Sequence, residues 1–338
     1  MARSNFPVEV TRVRQLTPRV REYLLTSVDG RPLPEYGPGA HVAVHTVSPE
    51  RGLIVRHYSL VGGGGIGESG QRGEDGDDPR HTYRIAVQKD SERRGSAHIH
   101  RSFEPGLRIE IGPPTNNFPL ERTSAPVLLL AGGIGITPIF SMARSLARRH
   151  RPFRVVYAGR NRHEMAYHDE LARLAGNATT NAATFHYSDT AGQLDLAALL
   201  GAQAAGTLVY VCGPAGMVDA THAAGSALGW DAARIRSERF GAQRPAAARA
   251  FDVHLRRSGR TVHVSEDASI LDALNAAGVP VLWDCRRGEC GLCPLAVVER
   301  DGPLEHHDRY LTDEDKAAGD TLCICVSRTC GTALTLDA

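Results

Sequence analysis

Cysteine is concentrated at the C-terminal end of this chain. Six of the seven cysteines follow residue 284, and three of them occur within DCRRGECGLC, residues 284–293. Cys285, Cys290 and Cys293 have the spacing C-x4-C-x2-C, and Cys323, Cys325 and Cys330 follow further along. This pattern limits the fold, because a loop rich in glycine must wrap around whatever the thiols bind.

Four kinds of site use clustered cysteines. The N-terminal segment MARSNFPVEVTRVRQL lacks the apolar core of a signal peptide, which favours the cytoplasm, where structural disulfides are rare. Structural zinc sites use paired C-x2-C units, and only one such unit is present. A thiol redox pair requires a βαβ context that this region lacks. Thiolates at C-x4-C-x2-C with a distant fourth cysteine are the ligands of a plant-type [2Fe–2S] cluster, which we therefore predict.

Composition limits the remaining classes of function. At about 150 residues per domain, 338 residues predict two or three domains. Lys plus Arg number 39 and Asp plus Glu number 38, so no strong field favours nucleic acid or an anionic membrane. No apolar run approaches the ~20 residues that span a bilayer. We expect a cytoplasmic monomer that binds neither nucleic acid nor membrane.

The chain changes its pattern twice. Residues 1–121 contain short runs rich in Val, Tyr, Ile and Thr between Gly and Pro turns, which predicts a β-barrel or sandwich. Residues 122–240 alternate apolar strands with amphipathic helices, which predicts a parallel sheet with crossover helices. Residues 241–250 lack bulky apolar side chains and are interpreted as a linker. Residues 251–338 begin with a hairpin pattern and a short helix before the cysteines.

Two glycine-bearing turns in the second region favour a nucleotide site. The stretch AGGIGITP, residues 131–138, follows a strand and precedes a helix, so Gly132, Gly133 and Gly135 allow close approach of a phosphate. A tight turn without a ligand explains the same spacing. The stretch CGPAGM, residues 212–217, ends another strand, and ligands of parallel sheets bind at such ends. Cys212 is interpreted either as a buried small hydrophobe or as a nicotinamide contact.

A third glycine pattern is rejected. Gly62, Gly64 and Gly67 match G-x-G-x-x-G, but Gly, Ser, Asp and Pro follow instead of a helix. We interpret this segment as a solvated loop.

The three regions together resemble the phthalate dioxygenase reductase and vanillate demethylase reductase family, over nearly the full length. Seven motifs carry the resemblance in order: RHYSL at 56–60, RRGSAHIH at 93–100, GPPTNNFPL at 112–120, AGGIGITPI at 131–139, YVCGPAGM at 210–217, SERF at 237–240 and ICVSR at 324–328. The resemblance implies a flavin-binding antiparallel β-barrel over 1–121, an α/β NAD-binding domain over 122–240 and a β-grasp ferredoxin domain over 251–338.

The resemblance assigns the flavin site. It implies that Arg56 pairs with the phosphate, a role that suits the bidentate guanidinium. Tyr58 and Ser59 contact the isoalloxazine and ribityl groups, and His57 belongs to the same segment. Arg94, Gly95 and Ser96 resemble a second phosphate contact, although this chain has one glycine where the family usually has two. The domain order implies FMN as the flavin.

The resemblance also assigns the nucleotide site. It implies Thr137 near the reactive edge of the flavin and Phe240 beside the flavin, although Phe240 is equally explained as a core residue. The implied nucleotide contacts are Gly132, Gly133, Gly135, Thr137, Arg160, Cys212, Gly213, Pro214 and Met217. Arg160 and Arg162 follow a strand where the adenosine ribose is expected, so they either receive a 2′-phosphate or lie in a solvated loop. The family favours NADH, which we expect, with NADPH as the alternative.

The family's C-V-S-R tail selects Cys325 as the fourth iron ligand, beside Cys285, Cys290 and Cys293, and leaves Cys323 and Cys330 as spare thiols. A Rieske centre pairs Cys and His in each loop, which this chain does not do. We therefore expect His306 and His307 to face solvent.

The implied function is electron transfer from NADH through FMN to a [2Fe–2S] cluster and on to a Rieske-type terminal oxygenase. Two alternatives stay open. One is an NAD(P)H-dependent reductase for another acceptor, such as a cytochrome or a separate ferredoxin. The other is an iron–sulfur module without flavin, which the presence of Arg56, Tyr58 and Ser59 argues against.

Overall fold

The computed structural model describes residues 5–48, 52–62, 78, 80–89, 95–176, 181–240, 249–266, 268–283, 286, 288, 291–308 and 310–338. The chain forms two compact units, Met1–Phe240 and Gly241–Ala338. Within the described ranges, no helix is long and apolar enough to cross a membrane.

The first sheet is antiparallel and lies at the N-terminal end of the first unit, which we call the antiparallel half. Its elements are β1 (Phe6–Thr17), β2 (Val20–Ser27), β3 (His41–Ser48), β4 (Gly52–Ser59), β5 (Thr82–Gln88), α1 (Gly95–Ser102) and β6 (Arg108–Ile111). The strand order is β4-β3-β6-β1-β2-β5. A bridge between Leu60 and Ile85 brings the end of β4 back to β5, so the sheet curls closed. Closure removes the exposed strand edges, as expected for a barrel.

The second sheet is parallel, and we call it with its helices the parallel half. Its elements are β7 (Val127–Gly132), α2 (Ile136–Arg148), β8 (Arg154–Gly159), α3 (His168–Gly176), β9 (Ala182–Tyr187), α4 (Ser188–Ala191), α5 (Leu196–Gly201), β10 (Leu208–Gly213), α6 (Ala215–Ala227) and β11 (Ile235–Arg239). The strand order is β11-β10-β7-β8-β9. All six residues of β7 are buried, as expected for a central strand covered on both faces.

The two halves of the first unit share one core. Val20, Val61 and Ala86 of the antiparallel half pack in the same cluster as Ile139 and Phe140 of α2. A segment that joins the sheets is also fixed, since Glu121 N donates to Tyr210 Oη at 3.0 Å.

The second unit is a mixed sheet crossed by short helices. Its elements are β12 (Phe251–Leu255), β13 (Thr261–Val264), α7 (Ile270–Ala276), β14 (Pro294–Arg300), β15 (Leu304–Glu305), α8 (Asp313–Ala318), β16 (Thr321–Cys323), β17 (Arg328–Thr329) and β18 (Ala333–Leu336). The main sheet has the order β13-β12-β18-β14-β16, and β15 pairs with β17. Helix α7 begins with a capping box between Ser269 and Asp272, which satisfies backbone amides at the start of the helix.

Candidate functional site

The two predicted glycine turns of the parallel half lie against each other. The sheet order reverses between β7 and β10, and such a reversal opens a ligand crevice at the carboxyl ends of the strands. A Cβ on Gly132 would lie 2.5 Å from Met217 Sδ and 2.8 Å from Pro214 Cδ. A Cβ on Gly135 would overlap the carbonyl group of Cys212. Glycine is therefore required at both positions by the packing of the second turn.

The β7–α2 turn presents backbone amides at the start of a 13-residue helix. Gly133 has φ +53°, which favours glycine, and its carbonyl accepts the Tyr157 hydroxyl at 3.1 Å. Thr137 is buried, and its Oγ1 donates to Ile134 O at 3.1 Å. The helix dipole and free amides at such a turn suit a phosphate group.

A buried acid faces the thiol of Cys212. Cys212 has no exposed surface, and its Sγ lies 4.0 Å from Glu238 Oε2. Glu238 is 1% exposed and sits next to Cys212 in the pairing of β10 with β11. Phe240 lies just after the end of β11, half-buried, and its amide donates to Gly213 O at 3.4 Å. A functional role was not predicted for Glu238, although a lone acid at the carboxyl end of a buried strand is a usable signal.

The two arginines that follow β8, Arg160 and Arg162, both form ion pairs. Arg160 Nη1 lies 4.0 Å from Glu164 Oε1, and Arg162 Nη2 lies 2.8 Å from Asp169 Oδ1. Both arginines are mostly exposed. His168 Nδ1 also contacts Asp169 at 2.8 Å. Carboxylates beside both guanidinium groups reduce the positive field that a 2′-phosphate would meet.

The predicted flavin strand, β4, divides its four candidate residues between two faces. Cross-strand pairing places Tyr58 opposite Val42 and Ser59 opposite His41. Because side chains alternate along a strand, Arg56 and Tyr58 point to one face of β4, and His57 and Ser59 point to the other. The four side chains of the motif therefore do not form one continuous row on a single face of β4.

The polar groups of β4 differ in exposure. Arg56 is exposed, and its Nη1 donates to Val55 O at 2.8 Å. Burial raises the pKa of Tyr58, so its hydroxyl stays protonated. The His57 ring meets the His41 ring edge-on at 5.1 Å. Ser59 Oγ is buried and has no hydrogen-bond partner among the described residues. A buried hydroxyl without a partner is costly, and a polar ligand would satisfy it.

Helix α1 carries the second predicted phosphate contact. Gly95 begins the helix, Ser96 is its second residue and Arg94 lies outside the described residues. His98 Nε2 lies 3.4 Å from Thr46 Oγ1, so α1 packs beside β3. Helix α1 also contacts β5, where His100 Nε2 lies 2.9 Å from Val87 O.

Two of the predicted iron ligands meet in the second unit. Cys293 Sγ and Cys325 Sγ are 3.2 Å apart, beyond the ~2.05 Å of a disulfide bond, and both side chains are buried. Cys285 and Cys290 lie outside the described residues. Cys330 is exposed, and its Sγ lies 3.2 Å from Glu305 Oε1, a hydrogen bond that raises the pKa of this thiol. Two facing thiols in an apolar pocket are suited to bind a metal through sulfur.

Glycines allow the cysteine loop to pack tightly. Gly288 has φ +72°, and a Cβ there would lie 2.6 Å from Val326 Cγ2 and 2.8 Å from Asp308 Cα. Gly291 has φ +71°, and a Cβ there would overlap the Tyr310 ring. Asp308 and Tyr310 therefore pack directly against the two glycines.

The sequence predicts that His306 and His307 face solvent, but in the structure both side chains are mostly buried. The His306 side chain is 9% exposed, and its Nδ1 lies 3.6 Å from Asp308 Oδ1. The His307 side chain is 23% exposed, and its amide donates to Ser327 Oγ at 3.1 Å. The expectation is wrong because this segment packs against Ser327, whose hydroxyl donates to buried Asp308 at 3.0 Å.

Two family models match the chain, one within each unit. Residues 129–223 match the family model described as an oxidoreductase NAD-binding domain, and residues 253–330 match a 2Fe-2S iron-sulfur cluster binding domain. The vanillate O-demethylase oxidoreductase of Pseudomonas sp. (strain HR199 / DSM 7063) is 36% identical over 91% of this chain and 92% of its own. The solved structure of phthalate dioxygenase reductase superimposes with a TM-score of 0.79 at 30% identity, over 99% of this chain and 98% of that one.

The chain belongs to the phthalate dioxygenase reductase family. Membership makes the protein an oxidoreductase, the reductase component of an oxygenase system, with NAD-binding and 2Fe–2S domains. The antiparallel sheet, the parallel sheet and the second unit, which we call the ferredoxin unit from here on, agree with the predicted fold class.

Other members of the phthalate dioxygenase reductase family belong to haem systems. The heme-dependent oxidative N-demethylase beta subunit of Ectopseudomonas mendocina (strain ymp) is 37% identical over 98% of both chains. The crystal structure of an intact type IV self-sufficient cytochrome P450 monooxygenase matches with a TM-score of 0.68 at 32% identity. That match covers 99% of this chain but 41% of the P450 chain. Proteins similar to this chain thus include one named for a haem-dependent demethylase and one named as a P450 monooxygenase.

Proposed function

We propose that the protein takes a hydride from NADH onto FMN and passes single electrons through a [2Fe–2S] cluster to a Rieske-type terminal oxygenase. The observation that carries the proposal is the approach of Cys293 Sγ to Cys325 Sγ at 3.2 Å, on a chain that also has a nucleotide crevice between β7 and β10. Bound FMN supplies the step from an electron pair to single electrons, and the protein supplies orientation.

The proposed iron ligands are Cys285, Cys290, Cys293 and Cys325. The thiol contact supports Cys325 as the fourth ligand, and Cys330 is exposed and bonded to Glu305 instead. Gly288 and Gly291 have left-handed conformations that side chains disfavour, and backbone amides near them would be available to donate hydrogen bonds to cluster sulfur.

The proposed flavin contacts are Arg56, His57, Tyr58, Ser59, Arg94, Gly95 and Ser96. Exposed Arg56 suits a phosphate, and the unsatisfied Ser59 hydroxyl suits a polar group of the flavin. The proposed nucleotide contacts are Gly132, Gly133, Gly135, Thr137, Arg160, Cys212, Gly213, Pro214, Met217 and Phe240. The interlocked glycine turns support this crevice as the place where the pyrophosphate binds.

The donor proposed is NADH. The carboxylates of Glu164 and Asp169 occupy the two arginines that a 2′-phosphate of NADPH would need. We also propose a cytoplasmic monomer divided into a flavin domain (1–121), an NAD domain (122–240), a linker (241–250) and a ferredoxin domain (251–338). The limits of the three larger sheets, whose last strands end at Ile111, Arg239 and Leu336, support this division.

The direct test is anaerobic titration of the purified chain with NADH. The protein should carry one FMN and about two iron atoms per chain, and NADH should bleach both the flavin and the iron–sulfur absorption. A colourless protein after anaerobic purification, without iron or FMN, contradicts the proposal. Size-exclusion chromatography with light scattering tests the monomer.

A haem-containing acceptor is the second candidate, because the N-demethylase subunit and the P450 structure are relatives over nearly this whole chain. NADH-driven oxygen uptake should be compared with a Rieske oxygenase and with a haem oxygenase, each supplied with its substrate. Coupled turnover with the Rieske protein alone supports the first candidate, and turnover with the haem protein alone supports the second.

A further inference from the structure

A buried acid joins the two halves of the first unit. Glu22 of β2 is 3% exposed, and the Tyr167 hydroxyl, at the start of α3, donates to its Oε2 at 2.8 Å. Arg14 of β1 donates to the same carboxylate at 3.0 and 3.3 Å, and its Nη1 reaches Glu170 of α3 at 3.0 Å. Arg84 lies 3.7 Å away. Charged groups are rarely buried without such partners, and here the partners come from both halves of the first unit.

Tyr167 is held in an uncommon conformation. Its φ is 60°, in the left-handed region that bulky residues avoid. Its ring stacks on Phe140 of α2, with centroids 5.1 Å apart and planes 16° apart. Burial, followed by the nearby Glu22 carboxylate, raises the pKa of Tyr167 well above its ordinary value, so the hydroxyl remains a donor. Strain of this kind persists where surrounding contacts fix it and often marks a functional position.

The contacts that run from Glu22 through Tyr167 end at helix α2, which follows the β7–α2 glycine turn. Phe140 lies one turn beyond Thr137 in α2, and Ser141 next to it donates to Gly62 O at 3.2 Å, just past the end of β4. Two links therefore tie α2 to the antiparallel half. One runs from Glu22 through Tyr167 to Phe140, and the other joins Ser141 to the segment after the proposed flavin strand.

We infer that Glu22 and Tyr167 are positioning residues that set the β7–α2 turn, and with it the bound NADH, at its working distance from the flavin strand β4. The inference rests on the proposed function. Neither residue is among the proposed cofactor contacts. Their effect should appear in the hydride step, because misplacement by about 1 Å can cost up to ~100-fold in rate.

Tyr167→Phe is the main test, since it removes the hydroxyl and keeps the ring on Phe140. In anaerobic stopped-flow experiments, the flavin reduction rate at saturating NADH should fall about tenfold, while the half-saturating NADH concentration changes less than about twofold. The isotope effect with 4-deuterated NADH should be retained or increased. Glu22→Gln should lower the flavin reduction rate to a similar extent. The double variant should reduce flavin little more slowly than either single variant.

Tyr83→Phe is the matched control. The Tyr83 hydroxyl is also buried, but it donates to Pro34 O within the antiparallel half. This variant should lower the melting temperature without changing the reduction rate. A Tyr167→Phe rate within twofold of wild type, or a loss no greater than that of the control, overturns the inference.

A second measurement needs no cofactor. Hydrogen exchange of the apoprotein should be about tenfold faster over residues 165–171 in Tyr167→Phe, and unchanged there in Tyr83→Phe. If the wild type lacks flavin or is not reduced by NADH, the proposed function fails. The exchange comparison then still decides whether this link holds the two halves together, and equal exchange in both variants overturns it.

Discussion

Serine substitutions at the two neighbouring cysteines of the second unit should have opposite consequences. Cys325→Ser removes a thiol that lies 3.2 Å from Cys293 Sγ, so the cluster should be lost or reduced to a trace. Cys323→Ser should keep the cluster. Cys323 has no exposed surface and packs with Leu322 and Ile324, so a hydroxyl there costs about 1–3 kcal/mol.

The loss of stability expected for Cys323→Ser is a second measurable difference between the two variants. In a unit of this size, the Cys323→Ser penalty corresponds to a fall of roughly 4–15 °C in the melting transition of the ferredoxin unit. Iron and acid-labile sulfide analysis, visible circular dichroism and scanning calorimetry of the full chain measure both effects. Exposed Cys330→Ser is the control and should change neither iron content nor melting. Full iron in Cys325→Ser together with iron loss in Cys323→Ser would refute the ligand assignment.

Three further outcomes are expected. Gly135→Ala places a methyl group on the backbone of the neighbouring turn and should cost about 1–3 kcal/mol and weaken NADH binding by calorimetry, whereas Gly216→Ala, in open space, should not. Burial lowers the pKa of His100 below 6.5, so the unfolded chain binds the proton first. The free energy of unfolding should therefore decline as the pH falls below that value, and His100→Gln should flatten the decline in denaturant titrations. Glu164→Gln with Asp169→Asn frees two arginines and should lower the KM for NADPH by about tenfold, and an unchanged NADPH KM would contradict the assigned role of these carboxylates.

Local pattern was enough to predict most of the elements. The apolar run that becomes β7 and the spacing of Ile139, Met142, Ala143 and Leu146 on α2 are properties of adjacent residues, so they are visible in the sequence. The glycine turns are also visible in the sequence, because a predicted strand precedes each turn and a predicted helix follows it.

Contacts between distant residues were not visible in the same way. The approach of Cys212 to Glu238 depends on the pairing of β10 with β11. The burial of His306 depends on packing against Ser327 and Asp308, and adjacent polar residues give no sign of it. The division of β4 between two faces follows from strand alternation, which the motif alone does not show.

Strand β18 is the central member of the ferredoxin sheet, between β12 and β14, and it pairs in parallel with the first strand of that unit. A ribosome must therefore synthesise residue 336 before this sheet can close. The apolar core around Cys293 and Cys325 includes Leu334 and Leu336 of β18, so it cannot form around these thiols until that strand has been made.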